Sequence, residues 1–147
     1  SYLDTLEWGA PFAIRDGLEW RQPRDLARIA VRYYQEGTVD QKSKEDYLKE
    51  LKSLGSPEDS HAASEVFISS HPALSVRYTT HYYPQPYLLG SIDKVFLTET
   101  VVVARNDGFF AIHYRADREY FKKYFPKFLQ FRRHLRLDPP EKIEKRL

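Results

Sequence analysis

Apolar positions recur along this chain at two spacings, and the switch between them marks out its elements. From Val95 to Val103 the residues are mostly β-branched or aromatic, which suits a pleated, half-buried surface better than a helix. A strand is predicted there. Asn106-Asp107-Gly108 follows, a trio that tolerates positive φ, so the chain is expected to reverse and return antiparallel through Phe109 to Arg115. In that return Phe110, Ile112 and Tyr114 alternate with Phe109, Ala111, His113 and Arg115, the period of a sheet. The spacing then lengthens. Phe121, Tyr124, Phe125, Phe128, Leu129, Arg132 and Leu135 fall at the three-and-four interval of one helical face, with Asp117 offered as N-cap and the helix opening near Arg118. Pro126 removes one backbone hydrogen bond from that helix and predicts a kink or a fresh start.

Upstream the same two periods alternate. Phe12-Ala13-Ile14 and the Asp16-Gly17 turn lead to Trp20, and Ala27 to Tyr34 reads as a strand because Val31 and two Tyr outweigh a competing helical spacing. Ser43-Lys44-Glu45-Asp46 is a capping box with Asp in place of Glu, ahead of a helix carrying Tyr47, Leu48, Leu51 and Leu54 and stopped by Gly55. Ser56-Pro57-Glu58-Asp59 predicts a second helix with Ala62, Ala63, Val66 and Phe67 buried, broken at His71-Pro72. Leu74 to Tyr83 alternates cleanly and predicts a strand. Pro84, Pro86 and Gly90 then frame a loop tipped by Tyr87, Leu88 and Leu89.

Composition narrows the chemistry. The 147 residues suit one domain, and the absence of Cys excludes disulfides, thiolate nucleophiles and Cys-based zinc sites. No apolar run approaches the roughly 20 residues that span a bilayer, so direct membrane insertion is not expected. Net charge is only +2, but it is unevenly placed: residues 115–147 hold 11 Lys/Arg against 5 Asp/Glu, while residues 1–114 hold 12 against 16. That asymmetry describes either a solvated helix face or an electrostatic docking surface.

In this order of segments the chain resembles the PsbP-like family. The likeness lies in Phe12-Ala13-Ile14 through Gly17 to Trp20, in Gly55-Ser56-Pro57-Glu58, and in the closing unit from Asn106-Asp107-Gly108 to Leu137 with its aromatic helix and Pro126. The resemblance implies an α+β fold, an antiparallel sheet sandwiched between helices, over residues 12–137. It leaves an N-terminal docking segment at 1–11 and a charged tail at 138–147. It further implies an extrinsic or assembly subunit, not an enzyme and without cofactor, that docks on a membrane protein complex of the photosystem type. Such a subunit sits on the lumenal side of the chloroplast thylakoid.

The residues expected to carry docking are Tyr2, Leu3, Leu6 and Trp8, which are too apolar for a free tail and call for cover by a partner or by a groove on the domain itself, the loop residues Leu88 and Leu89, and the cations Lys122, Lys123, Lys127 and Arg133. The alternative is nucleic-acid binding, as in an organellar ribosomal protein, through the basic and aromatic residues of the closing helix. The helical spacing sets it back, because rings and cations sort onto different faces. His71, His81 and His113 form the one constellation able to ligate a metal if their strands converge, and no tight divalent-ion site is expected from them. No Gly-rich phosphate loop, serine elbow or His-Glu protease motif occurs.

Overall fold

The computed structural model describes residues 8–35, 43–55, 59, 63–82, 94–105 and 107–137. They form an α+β unit with seven strands and two helices: β1 (Phe12–Ile14), β2 (Gly17–Arg21), β3 (Ala27–Gln35), α1 (Lys44–Ser53), β4 (Ser64–Ile68), β5 (His71–Tyr82), β6 (Lys94–Arg105), β7 (Gly108–Asp117) and α2 (Phe121–His134). All pairings are antiparallel, in the order β1-β2-β3-β7-β6-β5-β4. Two meanders, β1 to β3 and β4 to β7, are therefore joined along one seam where β3 lies beside β7.

The period of two along β7 assigns each side chain to a layer. Phe110, Ile112, Tyr114 and Ala116 join Trp20, Ile29, Val101 and Val103 in a cluster closed by Phe121, Phe128 and Phe131 of α2. Phe109, with Val76 and Val102, belongs to a smaller cluster closed by Leu48 and Leu51 of α1. Residues of opposite parity contact different helices, so α1 and α2 cover opposite faces of the sheet. Tyr114 is the pivot of the larger layer: its ring meets Phe121, Phe125 and Phe128, and its hydroxyl donates to the carbonyl of Phe121 at 2.7 Å. α1 starts as its sequence demands, with Ser43 Oγ accepting from the Asp46 amide at 3.1 Å.

Three expectations are corrected. The helix from Ser56 does not run to Phe67, because Val66 and Phe67 lie in β4, where Phe67 is 70 % exposed on the edge of the sheet; Ser56, Pro57 and Glu58 lie outside the described residues. The chain reverses at Ser69 and Ser70, both at positive φ (47° and 68°), a two-residue hairpin made without the Gly or Asn that would announce it. Pro72 does not end an element either. It lies in β5 ahead of Leu74, where pairing with β6 begins, so its missing N–H costs that ladder nothing.

The second correction concerns the start of α2. Asp117 still pairs with Phe96 in the sheet and the Arg118 amide donates to the Val95 carbonyl at 2.8 Å, so a turn is needed before the helix can open. Tyr120 caps α2 without a side-chain bond, and Asp117 Oδ1 instead accepts from the Glu119 amide. Pro126 sits exposed inside an unbroken helix. Third, Gly108 is not at positive φ. It is the first residue of β7, and a Cβ there would stand 2.2 Å from the Tyr34 carbonyl oxygen, so the glycine serves close approach of β3. Asn106 and the Pro84 to Gly90 loop lie outside the described residues.

Candidate ligand and docking surfaces

Among the described residues α1 covers only part of its face of the sheet, and the remainder is polar and mostly cationic. The register sets the rows. Arg21 lies opposite Arg28, Arg28 opposite Arg115, and Arg115 opposite Thr98. Two residues along, Glu19, Ala30, His113 and Thr100 form the next row, and Arg32 follows opposite Ala111. Like charges directly opposite on one face repel, so three arginines in line need compensation. Glu19 supplies part, with Oε1 2.8 Å from Arg21 Nε and 3.7 Å from Arg28 Nη1. Asp25 takes both remaining contacts of Arg28 at 2.8 Å, and this pairing holds its carboxyl below the usual range.

Arg115 and Arg32 are balanced differently. The guanidinium of Arg115 lies 4.1 Å from the centroid of the Phe96 ring, with no carboxylate partner among the described residues. Arg32 reaches the Tyr34 hydroxyl with Nη1 at 3.5 Å, and its Nε is buried with no partner among the described residues. Between them stands His113, whose Nδ1 is 2.8 Å from Thr100 Oγ1 and whose Nε2 is 3.4 Å from the hydroxyl of Tyr47 on α1. Burial, seconded by the charge of Arg32, pushes this imidazole down to about 4, and burial pushes the Tyr47 phenol up. The ring is neutral at pH 7. A depression of about 440 Å³ lies over these groups, lined also by Tyr78 and Phe96.

The α2 side is organised around one buried acid. Glu99 Oε1 accepts from Arg77 Nε at 3.0 Å and Nη2 at 2.8 Å, while Oε2 lies 3.5 Å from Arg132 Nη1. Arg77 also stacks over Phe121 and Phe125, and Arg132 over Phe128. Two cations and one carboxylate are thus held among rings at the base of the helix, a structural clamp between β5, β6 and α2.

The residues expected to dock are dispersed. Lys122, Lys123 and Arg133 are exposed on the outer side of α2 and Lys127 is half-buried beside them. Trp8 is buried in this chain's own core, edge-on to Tyr124 at 6.2 Å, so its ring is spent inside the domain. Tyr2, Leu3, Leu6, Leu88 and Leu89 lie outside the described residues, as does the tail from 138. Phe121, Phe128 and Phe131 are buried, so these rings of the basic helix offer nucleic-acid bases no stacking platform. The three histidines do not come together as a set: His71 and His81 stand near opposite ends of β5, and although His81 lines the same depression as His113, His113 is engaged by Thr100 and Tyr47.

Sequence reasoning missed Arg28, Arg32, Arg115 and Tyr47 as a group. Arg28 and Arg32 do sit on one face of a predicted strand, but only the pairing of β3 with β7 places Arg115 beside them. No protein-family model and no curated protein matches this chain.

Proposed function

We propose that the protein is a non-catalytic docking subunit that holds an acidic partner surface against the outer face of α2. The observation that carries this reading is the charge of that helix: Phe121–His134 contains five Lys/Arg and no Asp or Glu, and of the five only Arg132 is paired with a carboxylate among the described residues. A solvated helix ordinarily intersperses acids at the i+3 and i+4 positions, where each pair stabilises it by a few tenths of a kcal/mol. This helix forgoes them, and with its apolar face seated on the sheet, Leu129 excepted, charge dominates what it presents outward.

The likeness to the PsbP-like family points in the same direction and gives the partner class: a photosystem-type membrane protein complex, met from the thylakoid lumen. Lys122, Lys123, Lys127 and Arg133 would steer association and set its salt dependence. The test is surface plasmon resonance between the whole chain and complexes isolated from photosynthetic membranes, across a salt series. Lys122→Glu, Lys123→Glu and Lys127→Glu together should slow association severalfold at low salt and leave little difference at high salt. Equal association rates for parent and variant at every salt concentration would overturn the reading.

A further inference from the structure

On the opposite face of the sheet from α2, the open trough beside α1 has the composition of an anion site. Its floor is Ala30, whose short side chain leaves a hollow between Arg28 and Arg32, its neighbours two residues away on the same strand face, and between Glu19 and His113, its register partners. Glu19 is claimed by Arg21 and Arg28, and Arg28 is claimed again by Asp25. The charge left over belongs to Arg32 and Arg115, and both line the same hollow.

We infer that this hollow binds a small molecule carrying an anionic group, phosphate or carboxylate, at each end, one facing Arg32 and the other Arg115 on either side of Ala30. Three observations support it independently of α2. Arg32 has no carboxylate partner among the described residues, its Nη1 reaching the Tyr34 hydroxyl at 3.5 Å, so its charge is left for an oxyanion. Arg115 lies over Phe96, its guanidinium carbon 4.1 Å from the ring centroid, and it too has no carboxylate partner among the described residues. The volume, about 440 Å³, falls in the range of small-ligand clefts, and Tyr78 and Phe96 supply apolar wall for the remainder of the molecule. A second depression shares Arg28, Phe96 and Arg115 with the first and is lined beyond them by Arg24 and Lys94 together with Asp25 and Asp117. His113 is neutral at pH 7 and contributes a polar wall without charge.

Thermal unfolding of the whole chain at fixed ionic strength tests this, with sodium chloride replaced in one arm by pyrophosphate and in the other by citrate. The parent should gain several degrees of melting temperature in at least one arm. The arm that responds names the anion as phosphate or carboxylate. Arg32→Leu with Arg115→Leu should abolish the gain, whereas Lys122→Gln with Lys123→Gln should keep it, which separates this site from docking on α2. Should the arginine variant not fold, amide chemical shifts of the parent decide: titration should move Ala30, Arg32, His113 and Arg115. General stabilisation by excluded anions would raise parent and arginine variant alike. That result, movement centred on α2, or no response beyond chloride in either arm would overturn the site.

Discussion

Acidifying the protein from pH 7 to pH 4.5 should destabilise it through one side chain, His113. In the unfolded chain this imidazole takes a proton near 6.5, while in the fold burial and Arg32 hold it at about 4. At pH 7 the ring is neutral in both states and nothing is lost. Between about 6.5 and 4 the unfolded chain holds more protons than the folded one, so stability falls as pH falls and the loss saturates below about 4. At about 1.4 kcal/mol per pH unit the full window is worth roughly 3 kcal/mol, and about 2 kcal/mol once the part of the residue that meets solvent in the trough is discounted. Urea unfolding followed by circular dichroism at pH 7.5, 6.5, 5.5 and 4.5 measures it. His113→Gln, which can still bond Thr100, should flatten the slope above pH 5, where carboxylates have scarcely begun to protonate. A parent whose stability is level from pH 6.5 to 5, or a variant with the parent's slope, would show that the ring titrates freely and is not enclosed by Tyr47 and Thr100.

Two further outcomes follow from packing and pairing. Trp8→Ala should cost about 3 kcal/mol in chemical denaturation, since it empties a buried site against Tyr124; a loss below about 1 kcal/mol would place the indole outside the core. Glu99→Gln should cost about 3 kcal/mol in the same assay, because Arg132, 12 % exposed, loses its carboxylate while Arg77 can still reach water; an unchanged midpoint would mean the clamp contributes nothing net.

Legibility in the sequence tracks how local the controlling forces are. β6, β7 and the body of α2 are readable because period, turn residues and apolar face agree over short distances, and Ser43 announces α1 for the same reason. β4 is not readable. Ser-Pro-Glu-Asp is a strong helix opening, and the deciding event, a reversal at Ser69-Ser70 stabilised by pairing with β5, has no residue signature. The onset of α2 was displaced by the ladder to β6 extending through Arg118, a contact between segments distant in the chain. The trough was hidden for the same reason: Arg32 and Arg115 come to line one hollow only across the seam of β3 and β7, and from the sequence they are two unremarkable surface cations.

That seam also bears on the order in which the molecule assembles. Each meander closes through connections of two to eleven residues, but β3 and β7 must meet over nine register pairs, from Ala27 with Ala116 to Gln35 with Gly108, with three strands and α1 strung between them. Loop closure becomes costlier by about 0.6 kcal/mol for each doubling of the intervening chain, and non-local pairing slows folding accordingly. The two halves can therefore collapse as separate hairpin stacks before they join. Until they do, the long edges of β3 and β7 both stand open to any strand that can pair with them, and the bare backbone of Gly108 is what lets the last pair of that seam close beside Tyr34.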